Sequence, residues 1–457
     1  NLGFLILRDF YGTTQVVIET EEMMQVIDSV NKESTISVTG VVRERSSKNK
    51  DLATGEIEVV PEKIEILGKC IYNALPFEIN QSKDADENTR LKYRYLDLRN
   101  PAVKGNIVLR SKIVAELRQK MNSLNFMEIT TPILTCSSPE GARDYLVPAR
   151  NHPGKFYALP QAPQQFKQIL MASGFDRYFQ IAPCFRDEDA RADRSPGEFY
   201  QLDMEMAFAS QEDVFSVVEE VLPPVFEKYG VYKTASKAPF VRIPYLESMD
   251  KYGSDKPDLR IDLVLQDATE VMADCGFGPF EGQTVKAIVV DGFTATRKVI
   301  DGICAEVEVQ TANKAFWFKL DENGELVGGI SKFLQDRKEA VIAALGLKPG
   351  DFVGLTAGKK LAAQKTAGVL RKLLGAASDK HMKKDCYEFC WIVDFPMYEI
   401  GEESGELEFC HNPFSMPQGG MDALNNQDPL GILAYQYDLV CNGVELSSGA
   451  VRNHDPE

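Results

Sequence analysis

Apolar and polar positions alternate in short runs over the first 67 residues. The runs that predict strands are 4–7, 14–18, 36–42, 57–60 and 64–67, separated by Gly or polar turns. Several short strands at close spacing are typical of a small β-barrel or sandwich. The segment 76–95 is polar and lacks periodicity, which predicts a linker.

A helical pattern follows this linker. Apolar residues recur at helical spacing from Leu109 to Leu124, which predicts one apolar face, and a strand-like run then continues to Pro132. From Tyr178, two strand-like segments flank a charged loop at 187–198. On the second segment, Leu202, Met204, Met206 and Phe208 alternate with Gln201, Asp203 and Glu205. This alternation predicts one core face and one polar face that needs water or a ligand.

The remaining chain changes pattern twice. Residues 211–229 predict a helix, and the turn-rich residues 254–258 mark a boundary. Residues 271–385 then mix strands and helices without a cluster of catalytic residue types, so we interpret them as an inserted domain.

Composition places the chain among soluble globular proteins of several domains. Its 457 residues predict roughly two to four domains. With 44% hydrophobic and 26% charged residues, disordered, collagen-like and coiled-coil classes are excluded. A net charge of −17 argues against indiscriminate binding to nucleic acid or anionic membranes, although a local basic patch is compatible with it.

Targeting and cysteine patterns indicate a cytoplasmic protein. No apolar run reaches the roughly 18 residues of a membrane-spanning helix, and the first residues lack the pattern of a signal peptide. Nine Cys without a Cys-x-x-Cys pair fit a reducing compartment and no structural zinc. We interpret Cys386 and Cys390 as buried small hydrophobic residues rather than ligands.

Weak catalytic signals can be set aside. The Gly354 to Lys359 stretch resembles a phosphate loop, but it is one residue short and lacks Ser or Thr after the Lys. The four His residues are too dispersed for a local metal motif, and there is no Gly-x-Ser-x-Gly elbow. Hydrolase interpretations are therefore poor.

The strongest candidate site is the charged loop with its two flanking strands. Arg186, Arg191 and Arg194 lie on or beside this loop, with acidic neighbours that can orient them. Guanidinium groups suit nucleotide phosphates, a carboxylate can accept from an exocyclic amine, and an aromatic ring can stack on a base. A solvated charged hairpin is the alternative, which composition alone leaves open.

A second candidate lies near the end of the chain. Asn-Gly at 442–443 predicts a two-residue type I′ turn, which would pair Val440 with Glu445 and Leu439 with Leu446.

This turn would place Asp438 and Glu445 on one sheet face, as a Mg²⁺ site beside a triphosphate. Exposed surface carboxylates are the alternative. Arg452 would point away from that face in an ideal strand, unless a kink at 447–449 turned it round.

These residues resemble a known family. Arg186-Asp-Glu188 and the following Arg-Ala-Asp-Arg loop resemble motif 2 of class II aminoacyl-tRNA synthetases, and the helix ending at Thr130-Thr131-Pro132 resembles motif 1. The segments 138–145 and 159–167 narrow the resemblance to aspartyl-tRNA synthetases, and 252–260 with the following insertion is similar to the bacterial form.

The resemblance implies an α+β fold and a homodimer. An antiparallel sheet with flanking helices would follow an OB-fold and be interrupted by the insertion. The implied boundaries are 1–75 for the anticodon-binding OB-fold, 76–95 for a hinge, 96–270 and 386–457 for the catalytic domain, and 271–385 for a GAD-type insertion. It also implies a first OB strand before residue 1 and a motif 3 after residue 457.

The implied reaction has two steps. Aspartate attacks the α-phosphate of ATP, assisted by Mg²⁺, and the aspartyl group then passes to the 3′ end of tRNA-Asp. Such chemistry depends on positioning and charge stabilisation rather than a covalent nucleophile.

Site roles follow from the resemblance, residue by residue. Arg186 would hold the α-phosphate and the substrate carboxylate, while Lys167 and Arg452 would bind the side-chain carboxylate that distinguishes aspartate from asparagine. The residues implied to bind aspartate are Glu140, Gln161, Ala162, Pro163, Gln164, Lys167, Arg186, Asp203, His411 and Arg452. Those implied for ATP are Arg186, Asp187, Glu188, Phe199 and Glu445, with Mg²⁺ on Asp438 and Glu445. Phe4 and Gln15 would read the anticodon.

Some choices stay open. The patch 43–50 could contact backbone phosphates or form a solvated loop. Ser195-Pro-Gly-Glu and His411-Asn412 are similar to alphaproteobacterial forms, some of which charge both tRNA-Asp and tRNA-Asn. The competing hypotheses are a non-catalytic tRNA-binding relative and an amidating synthetase, although the latter has no need of an anticodon-type OB-fold.

Overall fold

The structure, a computed structural model, describes residues 2–138, 141–188, 197–401 and 404–456. It divides into two compact units, Asn1–Arg110 and Ser111–Glu457. Both combine helices with mainly antiparallel sheets. The α+β class expected from the sequence is therefore confirmed.

A four-stranded sheet dominates the first unit. Its elements are β1 (Gly3–Arg8), β2 (Thr13–Ile18), α1 (Glu21–Asp28), β3 (Thr35–Glu44) and β4 (Ile57–Gly68). The strand order is β1-β2-β4-β3, in which only β2 and β4 run parallel. Val16, Val17 and Ile18 at the end of β2 are buried, whereas Phe4 and Ile6 on β1 are exposed.

The two strands predicted at 57–60 and 64–67 are one strand, β4. Pro61 in its middle lies opposite Gly40, where the register of the β3–β4 pair shifts. A Cβ on Gly40 would lie 2.1 Å from the Val60 carbonyl oxygen, so glycine is what lets the two backbones approach here. The proline is accommodated by a local irregularity and does not end the strand.

The polar segment expected to be a linker is locally folded. It contains a 3-10 turn (Ile79–Asp84) and the short helices α2 (Glu87–Lys92) and α3 (Arg94–Asp97). Phe77, Ile79 and Leu96 form a small buried cluster. These elements are too short to produce a hydrophobic period in the sequence, and the hinge role of the segment stays a prediction.

The elements from α4 to α7 flank the charged loop. They are α4 (Pro101–Ser123), β5 (Met127–Glu128), β6 (Leu146–Pro148), β7 (Phe156–Ala158), α5 (Gln164–Ala172), β8 (Arg177–Phe185), β9 (Glu198–Met206), α6 (Gln211–Tyr229), β10 (Val241–Pro244) and α7 (Tyr245–Tyr252). The helices predicted at 109–124 and 211–229 are confirmed as α4 and α6. Ser210 and Asp213 form a capping box at the start of α6.

Two details of this region differ from the sequence predictions. The strand-like run to Pro132 yields only the two residues of β5, and Thr131 instead accepts a 2.8 Å hydrogen bond at its hydroxyl from Gln180. Phe208 was expected in the core, but it is fully exposed because β9 ends at Met206 and Phe208 adopts a φ of 53°.

The elements from residue 265 onward begin with a sheet of five strands. They are β11 (Leu265–Asp267), α8 (Thr269–Met272), β12 (Thr284–Val290), α9 (Arg297–Thr311), β13 (Ala315–Leu320), β14 (Leu326–Val327), α10 (Lys338–Leu345), β15 (Phe352–Gly358) and α11 (Lys360–Ala376). The strand order is β11-β12-β15-β13-β14, and every neighbouring pair is antiparallel. Buried apolar clusters lie on both faces of this sheet.

The last elements include three strands of a second four-stranded sheet. They are β16 (Phe389–Pro396), β17 (Tyr398–Ile400), β18 (Leu407–Phe409), α12 (Gly420–Asn426), β19 (Leu433–Cys441) and β20 (Val444–Ala450). Strands β10-β16-β19-β20 form one sheet and β5-β8-β9 another. Phe215 of α6 stacks on Trp391 of β16 with ring centroids 4.0 Å apart, and Met204 of β9 packs against the same cluster. Helix α6 therefore packs against both sheets.

Candidate active site

Strands β8 and β9 form the antiparallel hairpin predicted around the charged loop. Cys184 pairs with Phe199 in the ladder, and the Arg186 guanidinium lies 5.1 Å from the centre of the Phe199 ring. The Arg186 amide donates a 2.9 Å hydrogen bond to the Gly197 carbonyl oxygen, which closes the base of the loop. The hairpin thus presents a cation and an aromatic ring side by side, an arrangement that suits a phosphate and a base.

Some predicted residues of this region lie outside the described residues. These are Glu140, Arg191, Arg194 and Ser195. Asp187 and Glu188 are described and exposed. The Asp187 amide donates to the Arg143 carbonyl oxygen at 2.9 Å, and Arg143 Nε donates to the Asp187 carbonyl oxygen at 2.7 Å. Arg143 received no role in the sequence analysis, although its segment carried the resemblance.

Gln161 holds the segment that contains Arg143. It is buried, and its Nε2 donates to the Ala142 carbonyl oxygen at 2.7 Å and to Asp144 Oδ1 at 2.6 Å. Its Oε1 accepts from the Ala142 amide at 3.1 Å. The side chain is therefore fixed at the start of the turn through Ala162 and Pro163 that leads into α5.

A buried ion cluster lies between α5 and β9. Lys167 Nζ is 2.7 Å from Asp203 Oδ1 and 3.2 Å from Glu205 Oε2. Burial opposes the charge of Lys167, but Asp203 and Glu205 outweigh it, so the pKa of Lys167 is raised. Glu205 was not assigned to the site from the sequence, although its place on the polar face of β9 was visible in the alternation.

Arg452, near the C-terminal end of the second unit, contacts helix α5. Its Nη2 donates a 2.8 Å hydrogen bond to Gln164 Oε1, while Gln164 Nε2 is buried without a hydrogen-bond partner among the described residues. The positive charge of Arg452 partly offsets the rise in the pKa of Lys167. Gln164 and Lys167 are three residues apart on α5, so Arg452 reaches the helix beside Lys167 and next to a buried amide nitrogen that can still donate.

The β19–β20 hairpin has the predicted turn but a different register. Asn442 and Gly443 have φ values of 52° and 79°, which fit type I′, and Val440 pairs with Glu445 as predicted. The predicted pairing of Leu439 with Leu446 is wrong, because Leu439 pairs with Ser447.

A bulge at Leu446 adds one residue to β20 and shifts this register. It lies one residue before the expected kink at 447–449. Beyond the end of β20, Arg452 forms an isolated bridge with Ser415.

Asp438 is a buried acid near Glu445. Only 5% of it is exposed, and its Oδ1 has no hydrogen-bond partner in the part of the chain that the structure describes. Burial, followed by the negative charge of Glu445, raises the pKa of Asp438 to about 7. Glu445 Oε2 lies 3.2 Å from Lys256 Nζ. Asp438 is therefore not the exposed surface carboxylate of the alternative interpretation. Lys256, which contacts Glu445, had no role among the sequence predictions.

His411 lies against two aromatic rings. The centroid of its ring is 5.0 Å from that of Phe395 and 5.7 Å from that of Tyr245. This burial lowers the pKa of His411, against the opposing effects of Asp255 and Glu399. The ring is therefore a neutral hydrogen-bonding group near pH 7.

In the first unit, the two predicted anticodon readers share one sheet face. Phe4 is exposed, and Gln15 lies opposite Ile6, two residues from Phe4 on the same side of β1. Gln15 Nε2 donates to Glu58 Oε2 at 2.9 Å, and its Oε1 accepts from Arg45 Nη2 at 2.9 Å.

The cations of the patch 43–50 are partly neutralised. Arg43 contacts Glu58 at 2.8 Å and Glu19 at 2.6 Å, and Lys48 pairs with Glu44. These ion pairs favour a folded surface loop over an open phosphate site.

No helix among the described residues is long and apolar enough to cross a membrane. In the same residues, no group of three or more His, Cys, Asp or Glu side chains is arranged to hold a metal ion.

Comparison with known proteins identifies the family. Residues 86–457 match the family of class II tRNA synthetases (D, K and N), and residues 1–67 match the OB-fold nucleic acid binding domain. The aspartate–tRNA ligase of Streptomyces avermitilis is 52% identical over 99% of this chain and 78% of its own length. The aspartate–tRNA(Asp/Asn) ligase of Zymomonas mobilis is 52% identical over 100% of this chain and 78% of its own length.

A solved structure shows the same fold. The aspartyl-tRNA synthetase of Entamoeba histolytica superposes with a TM-score of 0.53 at 19% identity, covering 100% of this chain and 73% of that one. The resemblance that the motifs indicated is confirmed by the family matches and by the two relatives at 52% identity. The chain belongs to the class II tRNA synthetases and, within them, to the aspartate–tRNA ligase family.

Proposed function

We propose that this protein activates L-aspartate with ATP and transfers the aspartyl group to the 3′ end of tRNA-Asp. The observation that carries the proposal is the hydrogen bond between Arg452 and Gln164, which lies three residues before the buried Lys167 on α5 and so places the two cations on neighbouring positions. Two adjacent cations reward a side-chain carboxylate and give no such reward to an amide. A non-catalytic relative is not favoured, because relatives 52% identical to the chain are ligases.

ATP binds at the mouth of the β8–β9 hairpin in this proposal. Arg186 holds the α-phosphate and the substrate carboxylate, and Phe199 stacks on the adenine. Their 5.1 Å separation supports a shared platform. Asp187 and Glu188 are exposed, so both side chains are accessible and form the remaining contacts with the nucleotide in this proposal.

Aspartate binds deeper, next to α5. Asp203 receives its amino group, and Gln161, Ala162, Pro163 and Gln164 line its backbone side. His411 closes over it, and we assign Glu140 to the same site from the family resemblance.

The residues near Asp438 fit Mg²⁺. The buried Asp438 carries an oxygen without a partner, and Glu445 lies on the neighbouring strand. Mg²⁺ is commonly held by one or two carboxylates together with substrate phosphates, which agrees with the lack of a three-residue metal cluster in the described part of the chain. When bound, the ion would offset the charge that develops on the phosphates.

The proposed partners are tRNA and a second copy of the chain. Phe4 and Gln15 share an exposed face suited to unstacked anticodon bases. We propose a cytoplasmic homodimer, to whose interface the exposed Ile107 and Leu109 of α4 would contribute. The OB-fold, hinge, insertion and catalytic boundaries given above are part of the proposal.

Aspartate-dependent exchange of pyrophosphate into ATP tests the activation step. Arg186→Ala and Arg452→Ala are expected to reduce exchange by at least about 100-fold, because each removes a charge that stabilises the bound substrates. Phe4→Ala is the matched control, since it should retain exchange while weakening the charging of tRNA-Asp. Equal loss of exchange in all three variants, or none in the unaltered protein, would contradict the proposal.

Charging of purified tRNA-Asp and tRNA-Asn side by side resolves the tRNA range. The relatives at 52% identity include both an aspartate–tRNA ligase and an aspartate–tRNA(Asp/Asn) ligase. We propose tRNA-Asp as substrate in either case, and charging of tRNA-Asn at a comparable rate would add the second substrate.

A further inference from the structure

The loop at 254–258 is held rigidly beside the β19–β20 hairpin. Ser248 Oγ donates to the Ser254 carbonyl oxygen at 2.7 Å, and the Lys256 amide donates to Ser254 Oγ at 3.0 Å. Arg371 Nη2 donates to the Asp258 carbonyl oxygen at 3.1 Å. The position of Lys256 is therefore built by the fold and does not result from a chance surface contact.

Lys256 faces an excess of negative charge. Its Nζ lies 3.0 Å from Asp255 Oδ2 and 3.2 Å from Glu445 Oε2. The buried Asp438, on the strand paired with that of Glu445, has an Oδ1 that no described residue hydrogen-bonds. A buried carboxylate next to a second carboxylate is costly unless a cation offsets the repulsion. The side chain of Lys256 is one-third exposed (33%), so its ammonium group can leave this position without opening the core.

We propose that Lys256 is the resident counter-ion of the metal site: it pairs with Glu445, beside the buried Asp438, when no divalent cation is bound, and it competes with that cation for Glu445. The inference deepens the proposed function and rests on it for the identity of the site. It makes Lys256 a positioning residue, because it acts through the two carboxylates.

Mn²⁺ binding to the protein alone tests this competition. Free Mn²⁺ is measured by its electron paramagnetic resonance signal, without ATP, aspartate or tRNA. Lys256→Met should bind Mn²⁺ about tenfold more tightly than the unaltered protein, because removing a like charge a few ångströms from the ion is worth at least one factor of ten. Lys256→Arg keeps the charge and should bind Mn²⁺ as the unaltered protein does.

Lys251→Met is the matched control. Lys251 is a nearby lysine whose Nζ pairs with Glu247 Oε1 at 2.7 Å, outside the site. The inference is overturned if Lys256→Met leaves Mn²⁺ affinity unchanged, or if Lys251→Met tightens it equally.

Thermal unfolding gives a second readout. Without metal, Lys256→Met should unfold at a lower temperature than the unaltered protein, and added Mn²⁺ should raise its midpoint by more. A merely structural role would lower the midpoint equally at all Mn²⁺ concentrations and would overturn the inference. If Lys256→Met does not fold, Lys256→Gln takes its place in both measurements.

The outcomes for the two proposals are separable. Absence of pyrophosphate exchange by the unaltered protein defeats the proposed function and leaves the Mn²⁺ comparison standing. Exchange together with equal Mn²⁺ affinities defeats only the role of Lys256.

Discussion

Lys167 keeps a positive charge where burial opposes it. Its side chain is 8% exposed, and Asp203 and Glu205 lie on the facing strand. Removing one member of a buried ion pair leaves the other members charged and unsatisfied, which costs more than the pair gains by forming. The lysine thus links the proposed substrate site to the stability of the unit.

Replacing this lysine should destabilise the protein strongly. Lys167→Met is expected to lower the free energy of unfolding by roughly 3 kcal/mol, because the buried Asp203 and the partly buried Glu205 lose their cation. Lys228→Met is the control, since Lys228 pairs with Glu116 at 2.6 Å on the surface and should change stability little. Denaturant unfolding measures both, and similar losses would contradict a special role for the buried cluster.

The sequence revealed Lys167 and Arg452 only through motifs. Their meeting depends on α5 packing near β9 and on the path of the chain after β20, neither of which leaves a local signal. Glu205 did have a signal, since it alternates with Met204 and Met206 on a strand with one polar face. Its contact with Lys167 required the packing of the helix.

At the scale of elements, α11 fixes the chain that leads from the loop at 254–258 into the five-stranded sheet. Arg371 donates to the carbonyl oxygens of Leu263 and Ile261, each at 2.6 Å, and to that of Asp258 at 3.1 Å. Its guanidinium also lies 4.8 Å from the Tyr252 ring centre. Burial lowers the pKa of Arg371 to about 10, which leaves it charged at neutral pH.

Loss of this arginine should loosen the segment it holds. Arg371→Met removes the donors to three buried or partly buried carbonyl groups and is expected to cost roughly 2 kcal/mol in unfolding free energy. Hydrogen exchange at 258–263 should accelerate in the same variant. Lys372→Met, the next residue on the exposed side of the helix, is the control. Unchanged exchange in Arg371→Met would show that the segment is held by other contacts.

Elements with local causes were predicted, and those with distant causes were not. The Asn-Gly turn at 442–443 follows from backbone preferences of its own two residues. The bulge at Leu446 and the continuity of β4 through Pro61 depend on partners across the sheet. For this reason the pairing of Val440 was right and that of Leu439 was wrong.

At the scale of the whole molecule, the cysteines differ in exposure and can therefore report how accessible the regions around them are. All nine lie in described residues, and none forms a disulfide there. Cys390, Cys410 and Cys441 are buried, and burial raises the pKa of each thiol to about 12. Cys136 is exposed, in the segment before the loop that carries Ser138.

Alkylation should follow this division. Iodoacetamide at pH 8 is expected to label Cys136 in the folded protein, and to label Cys390, Cys410 and Cys441 only after denaturation, because the thiolate is the reactive form. Peptide mass mapping of folded and denatured samples measures the pattern. Rapid labelling of Cys390 in the folded protein would mean that its sheet opens readily.

The acidic composition also acquires a structural explanation. In the first unit, Arg43 and Arg45 contact Glu58, Glu19 and Gln15. Cations on the proposed anticodon face are thus held by neighbouring polar groups, which fits selective contact better than general attraction to phosphate. The total charge excluded indiscriminate binding, but it could not indicate where individual cations lie.

The two ends of the segment between Ile261 and Met382 lie side by side. Ile261 and Met382 form an antiparallel bridge, and the Lys383 amide donates to the Arg260 carbonyl oxygen at 2.8 Å. Because the entropy of closing a loop grows only with the logarithm of its length, doubling the roughly 120 residues between these points would cost only about 0.6 kcal/mol. The length of the intervening segment therefore has little effect on the free energy of bringing its two ends together. Additions within this segment should be tolerated more readily than additions within the strands of the proposed site.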